Sequence, residues 1–198
     1  MPKTKEQCEE IKDKMKNKII EGSIRYFAKN GYSGTKISQL SKYIGIGQGT
    51  LYNYFSSKEE LFTEIINKLK SQNAGELEIL AKAQIEAESK VNIISKSMIE
   101  EIKNKSITAY SFVLNIRMVE ERTIDNPFTK SYEDIPTKVL RDIILQGQKE
   151  GSVIEGDAYK LADYYWSVVH TLALTSINSS KGQTIEAYWL SRILLKDK

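Results

Sequence analysis

The segment that decides the fold spans residues 35–61 and reads TKISQLSKYIGIGQGTLYNYFSSKEEL. Ile37, Leu40 and Ile44 recur at i, i+3 and i+7, a spacing that places apolar side chains on one face of a helix. Gly45 is predicted to end this helix in the left-handed conformation. A second short helix is predicted directly after it. Two short helices joined by a tight turn have the geometry of a helix-turn-helix.

The second of these helices carries side chains suited to reading DNA. In a helix-turn-helix the second helix enters the major groove, and its N-terminal residues meet the base edges. Gln48 can bond adenine through two hydrogen bonds, Thr50 can contact several bases, and Gly49 lets the backbone come close. Tyr52 and Tyr54 carry hydroxyl groups suited to phosphate oxygens. Solvated exposure is the alternative for Gln48 and Thr50, and packing within the chain is the alternative for Tyr52.

The flanks of the two helices add polar and basic groups. Thr35 is the predicted N-cap of the first helix, with Lys36 beside it. Ser57 is predicted to cap the helix that follows, with Glu60 completing a capping box. Lys58 lies in the first turn of that helix, where its charge opposes the helix dipole. An external phosphate at this point would make the position favourable for a cation.

Helical periodicity extends along nearly the whole chain, and strand-like alternation is almost absent. The prediction is an all-α protein of about nine helices, the first running from about residue 6 to Asn30. The pattern after Ser57 fades at Gly75, which leaves open whether one helix or two cover this region. The predicted division places a helix-turn-helix domain at residues 1–57 and a helical domain at residues 58–198.

The pattern resembles the DNA-binding domain of the TetR family of bacterial transcriptional regulators over about residues 10–65. The matching positions are Thr35, Ile37, Gly45, Ile46, Gly49, Leu51, Tyr52, Tyr54, Phe55, Ser57, Lys58 and Leu61. Gly47 stands where this family usually has a Ser N-cap, a change that costs only a few tenths of a kcal/mol. Ser41 stands where a small Ala usually packs.

The resemblance implies a protein that binds double-stranded DNA at a palindromic operator. The DNA-contacting set that it implies is Thr35, Lys36, Ser38, Gln48, Gly49, Thr50, Tyr52, Asn53, Tyr54 and Lys58. It also implies that the remaining helices bind a small-molecule effector and form a dimer. An effector that favours the conformation unable to bind DNA would lower operator affinity. The resulting hypothesis is a ligand-responsive repressor, although some members of this family activate.

A homodimer is expected because the helix over residues 161–177 is apolar on nearly every face. Such a helix needs burial on all sides, against the core of its own chain and against a second subunit. The last helix is similarly broad in its apolar coverage. The candidate interface residues on these two helices are Tyr165, Val169, Leu172, Ile177, Trp189 and Ile193.

Aromatic bulk and polar groups are mixed inside the predicted helices of the second domain. The candidate ligand-binding residues are Tyr110, Phe112, Asn115, Met118, Trp166 and His170. This mixture is typical of small-molecule sites and favours an apolar or aromatic effector. Ordinary core or interface packing is the alternative for each residue.

Composition excludes several other classes. The chain has one cysteine, Cys8, and one histidine, His170, so neither an internal disulfide nor a multi-histidine metal site is possible. No cofactor or metal is expected. Residues 1–60 hold 11 Lys and Arg against 7 Asp and Glu, whereas residues 61–198 hold 18 against 19, so the basic excess lies where the DNA motif lies.

Two other functions stay open at this point. A helical small-molecule enzyme is disfavoured because no nucleophile, base and orienting group cluster in the sequence. A membrane-surface protein would use the lysines of the first helix, which more often form a solvated face. No apolar leader and no membrane span is predicted, so a cytoplasmic location without a membrane partner is expected.

Overall fold

The computed structural model describes residues 4–120, 135–179 and 186–197, apart from the side chains of residues 5, 70–74, 76, 115–120 and 135. Within these ranges the chain forms nine α-helices. They are α1 (Lys5–Asn30), α2 (Ile37–Ile44), α3 (Gln48–Tyr52), α4 (Lys58–Lys82), α5 (Ala87–Lys103), α6 (Ile107–Glu120), α7 (Ile135–Glu150), α8 (Ala158–Asn178) and α9 (Ala187–Ser191). The all-helical class predicted from the sequence is confirmed.

Local sequence explains where several helices begin and end. The Thr4 side chain accepts a hydrogen bond from the Gln7 amide, and the Gln7 side chain accepts one from the Thr4 amide, so a capping box starts α1. Asp157 caps α8 by accepting from two backbone amides. Gly45 ends α2 at φ 75° and ψ 42°, the left-handed conformation that glycine adopts without strain.

One continuous core links the two halves of the chain, from Ile19 in α1 to Leu195 near the end. In the N-terminal half α1 packs against α2 and α4, α2 packs against α3, and the ring centroid of buried Phe27 in α1 lies 5.6 Å from that of Phe62 in α4. In the C-terminal half α8 packs against α6 and α7, and α6 also packs along α1. Helix α6 therefore lies between the N-terminal helices and α8.

The structure settles one helix boundary that the sequence leaves open and corrects another. Helix α4 continues through Gly75 as one helix of 25 residues, because a single exposed glycine costs only about 1 kcal/mol in a helix. The last described helix, α9, has only five residues, after which Val153 and Leu195 pair in an isolated antiparallel bridge. The sequence also predicts a loop at residues 125–134 and a helix break at Gly182, and both lie outside the described residues.

No helix among the described residues combines the length and the apolar character needed to cross a bilayer.

Candidate DNA-binding interface

Buried apolar side chains and a backbone hydrogen bond fix the position of the two short helices α2 and α3. Leu40 and Ile44 are buried in the N-terminal core, as their spacing predicts, and Leu51 and Phe55 are buried with them. The turn between the helices is fixed by its backbone, because the amide of Ile46 donates to the Ser41 carbonyl at 3.0 Å. The outer surface of α3 thus has a fixed position relative to α1 and α4.

Helix α3 exposes its N-terminal residues to solvent. Gln48, Gly49, Tyr52 and Asn53 are exposed, and Thr50 is half-buried. A Cβ atom built on Gly49 would have no atom of the chain within 4 Å, so the packing of this chain does not require a glycine there. Space above Gly49 is what a close approach to another molecule needs.

The N-termini of α2 and α3 are both without side-chain caps. Lys36 is the N-cap of α2, Gly47 is the N-cap of α3, and neither accepts a hydrogen bond through its side chain. The first amides of each helix therefore retain hydrogen-bonding capacity and positive partial charge. Exposed Lys36 and Ser38 lie beside the first of these two helix ends.

The structure corrects the role that the sequence predicts for Thr35. It is not the N-cap of α2: its hydroxyl donates to the Gly31 carbonyl at 2.6 Å and closes the turn that follows α1. Only 4% of its surface is exposed, so its side chain is not presented at the surface of the interface. Lys36 occupies the cap position instead.

The ammonium group of Lys58 has hydrogen-bond acceptors and an aromatic ring of the same chain as its partners. Its Nζ donates to the carbonyl oxygens of Tyr32 at 3.1 Å and Thr35 at 3.2 Å, and lies 4.3 Å from the centre of the Tyr32 ring. These contacts explain a cation in the first turn of α4 without an external phosphate. They also tie the start of α4 to the loop that leads into α2.

The predicted capping box at the start of α4 is only half formed. Ser57 accepts from the Glu60 amide at 3.0 Å, as predicted. The Glu60 carboxylate instead accepts from the amide and the hydroxyl of Ser56, at 2.7 Å and 2.5 Å. These two hydrogen bonds lower the pKa of Glu60, with the Ser56 hydroxyl as the larger cause. The Glu60 carboxylate therefore ties the N-terminus of α4 to Ser56.

The candidate ligand-binding residues separate into two groups. Phe112, Trp166 and His170 form a cluster, with ring centroids 6.2 Å apart for Phe112 and Trp166 and 5.5 Å apart for Phe112 and His170. Tyr110 lies on the α1 side of α6, where the Arg25 guanidinium is 4.8 Å from its ring centre. The side chains of Asn115 and Met118 lie outside the described part of the chain.

Three of the candidate dimer-interface residues are core residues of the single chain. Tyr165 and Val169 are fully buried and Ile177 is 7% exposed, because that face of α8 packs on α5 and α6. The prediction that they form an intersubunit surface is wrong on this point. Leu172 and Ile193 are half-buried, and Trp189 is 68% exposed. Tyr164 and Val168 lie exposed on the opposite face of α8, and Tyr188 is exposed on α9.

Arg25 joins the two halves of the chain and was missed from the sequence. Besides covering Tyr110, it donates to the Lys105 carbonyl at 3.1 Å. Lys105 in turn donates through Nζ to the Ser179 carbonyl at the end of α8, at 2.9 Å. These partners lie 80 and 74 residues apart in the chain, so local periodicity carries no signal for them.

Comparison with known proteins is consistent with this geometry. Residues 19–65 match the family described as bacterial regulatory proteins, tetR family. The chain is 34% identical over 77 residues to the HTH-type transcriptional regulator AcrR of Shigella flexneri, a match that covers 39% of this chain and 34% of AcrR. A match to the fatty acid metabolism regulator protein of Bacillus subtilis is 26% identical over 146 residues and covers 73% of both chains.

These sequence matches are mostly partial. The chain spans about a third or less of the length of several curated relatives that it matches. A solved structure of AibR in complex with isovaleryl coenzyme A and operator DNA is similar over 89% of this chain and 94% of AibR, with a TM-score of 0.66 and 15% identity. At that identity the similarity shows a shared fold.

Proposed function

We propose that this chain, which belongs to the tetR family of bacterial regulatory proteins, is a transcriptional regulator that binds double-stranded operator DNA through α2 and α3. The observation that carries the proposal is that the N-terminal residues of α3 are exposed while Leu51 of the same helix is buried in the core. A rigid helix with polar side chains at its N-terminus fits the width of the major groove.

The proposed contacts divide between bases and phosphates. In the proposed complex Gln48 and Thr50 contact base edges, and Gly49 leaves space for the DNA because a Cβ there would meet no atom of the chain within 4 Å. Tyr52 and Asn53 are placed for phosphate oxygens. The uncapped N-terminus of α2 suits a further phosphate. The proposed contact residues are Lys36, Ser38, Gln48, Gly49, Thr50, Tyr52, Asn53 and Tyr54.

We give Lys58 a different role from the one its position in the sequence predicts. Its Nζ is held by two carbonyl oxygens and a tyrosine ring, so its first function is to position the loop before α2. A positioned loop sets the orientation of the α2 N-terminus toward DNA. Lys58 thus acts on DNA binding through the loop.

The experiment is DNA selection from a random pool, followed by gel shifts on the selected site. Tyr52→Ala should weaken binding to all sequences and reduce the dependence of affinity on salt, because a backbone contact is lost. The matched control is Tyr159→Ala, since Tyr159 is 49% exposed on α8 and Tyr52 is 45% exposed on α3. Equal affinity for the two variants, or no selected sequence at all, would contradict the proposal.

We further propose that the protein works as a homodimer on a palindromic site. The exposed residues that support this are Tyr164 and Val168 on α8 and Tyr188 and Trp189 on α9, and they replace the buried residues of the original prediction. Exposed aromatic groups of this kind are enriched at protein interfaces. A two-fold dimer presents two copies of α3 to two half-sites.

We also propose that a small molecule controls the binding of this protein to DNA. Helix α6 contacts both α1 and α8, so a ligand held by α6 and α8 can bias the position of the DNA-binding helices. Such a ligand would lower operator affinity by favouring the conformation that does not bind DNA. The relatives are named as transcriptional regulators, which favours a cytoplasmic repressor over the enzyme or membrane-surface alternatives.

A further inference from the structure

A single buried polar group has no partner in the aromatic cluster between α6 and α8. Across the described residues, Nε1 of Trp166 is the one buried side-chain nitrogen or oxygen that makes no hydrogen bond. Trp166 is 5% exposed, so bulk water does not reach the indole freely. An unpaired buried N–H costs free energy, and native proteins rarely retain one without a reason.

The neighbouring polar groups do have partners. The hydroxyl of Tyr165 lies 2.9 Å from that of Ser95, deep in the core, and burial raises the pKa of Tyr165 well above its usual range. The Ser176 hydroxyl donates to the Ile102 carbonyl at 3.1 Å. Helix α8 therefore satisfies the buried groups on either side of Trp166 and leaves its indole N–H unpaired.

The surroundings of this N–H define the chemistry that would satisfy it. The Phe112 ring centroid lies 6.2 Å from the centroid of the indole, and the Tyr165 ring stands perpendicular to the indole with its centroid at 5.5 Å. His170 lies one turn further along α8, against Phe112, and is half-buried, so the cluster approaches the surface at that point. Indole nitrogen is a donor only. The missing partner is consequently an acceptor with an apolar, planar body.

We propose that Trp166 is the anchoring donor of the effector site, and that the effector is an apolar molecule carrying a hydrogen-bond acceptor oxygen. This inference rests on the proposed function, because it names the ligand class of the regulator. Phe112 supplies an aromatic wall, and Trp166 Nε1 fixes the orientation of the ligand through one hydrogen bond. A cationic ammonium, which has no acceptor, does not satisfy this donor.

The test uses matched pairs of small molecules on the full-length protein. The probes are aryl ketones and aryl ethers, each paired with the hydrocarbon in which a methylene replaces the oxygen function. The variants are Trp166→Phe, which keeps an aromatic ring and removes the N–H, and Tyr159→Phe as the control at an exposed aromatic residue of α8. Affinity is measured by titration, and the indole N–H resonances are followed by NMR.

In the parent and in Tyr159→Phe, the oxygen-bearing member of a pair should bind about tenfold more tightly than its hydrocarbon, a usual value for one buried hydrogen bond. In Trp166→Phe the two members should bind equally. The Trp166 indole resonance of the parent should move downfield with the oxygen-bearing member and not with its hydrocarbon, a readout that does not depend on the folding of the variant.

Three results would overturn the inference. They are a preference for oxygen that persists in Trp166→Phe, equal affinities within every pair for the parent, and a Trp166 resonance that no probe shifts. Equal affinities would mean that an internal water satisfies the indole. Operator binding measured in parallel separates this inference from the proposed function, because DNA binding that survives without oxygen preference refutes only the ligand site.

Discussion

Lys58 shows how one side chain acquires its partners only in the folded chain. It donates to two carbonyl oxygens of the loop between α1 and α2 and covers the ring of Tyr32. Hydrogen bonds made by a charged group are stronger than neutral ones, and removing one partner leaves the other unpaired. The side chain therefore stabilises the N-terminal half of the molecule before any DNA is present.

Lys58→Met should lower the free energy of unfolding by about 1–2 kcal/mol, since it keeps the length of the side chain and removes its donors. Thermal or urea unfolding of the variant checks this, with Lys160→Met as a control at an exposed lysine of α8. The slope of operator affinity against salt should stay close to that of the parent. Unchanged stability together with a reduced slope would assign Lys58 to phosphate instead.

Glu60 is predicted to make a contribution to stability that depends on pH. Its pKa is lowered in the folded chain by the hydroxyl and amide of Ser56, so the charged form is favoured by folding. That contribution is present above the pKa of the unfolded chain and is lost as pH falls through the lowered folded value.

The difference in melting temperature between the parent and Glu60→Gln should be largest near neutral pH and should shrink as the pH falls below the pKa of the unfolded chain and through the lowered pKa of the folded chain. Glu9→Gln on exposed α1 serves as the control. A difference that stays constant over this range would contradict the assignment.

Helix α7 depends on a glycine at its closest approach to neighbouring segments. A Cβ atom on Gly147 would lie 2.3 Å from a methyl carbon of Val153 and 3.0 Å from the Cβ of Ala87. Val153 is fully buried and cannot turn away into solvent. The junction of α7, α5 and the segment after Gly151 thus has no space for even one methyl group.

Gly147→Ala should accordingly destabilise the protein by about 1–3 kcal/mol, the usual cost of overpacking a dense core. The control is Gly75→Ala in α4, where an added Cβ would have no other atom of the chain within 4 Å. Alanine there should stabilise the helix by up to about 1 kcal/mol. Urea unfolding measures both. A neutral Gly147→Ala would show that the α7 junction relaxes freely.

Prediction from the sequence works for the elements and less well for the faces they bury. Leu40 and Ile44 are buried as predicted, because the spacing of apolar residues in a short amphipathic helix specifies one face. Tyr165 and Val169 were assigned to the wrong surface, because α8 is apolar on several faces and only its packing selects which one meets the core.

The polar positions show the same limit. Thr35 has the residue type of an N-cap, but its hydroxyl forms a hydrogen bond with Gly31 four residues earlier and leaves Lys36 at the cap. Glu60 has the spacing of a capping box, but it bonds Ser56. In each case a competing local hydrogen bond, which the motif alone does not reveal, decides the partner.

At the scale of the whole molecule, the exposed aromatic residues of α8 and α9 predict association. Trp189→Lys should shift the protein from dimer toward monomer and weaken binding to a palindromic site more than binding to a half-site. Analytical ultracentrifugation measures the first effect and gel shifts the second. Ile79→Lys is the control, at a 73% exposed apolar residue of α4. A parent protein that is monomeric on and off DNA would contradict the dimer.

The central claim is that the start of α3 reads base edges, and selection of DNA from a random pool tests it most directly. The parent should enrich one palindromic sequence, and Gln48→Ala should enrich sequences that have lost their preference at one symmetric pair of positions while the others are retained. Identical selected sequences for the parent and Gln48→Ala would contradict the assignment of α3 as the recognition helix.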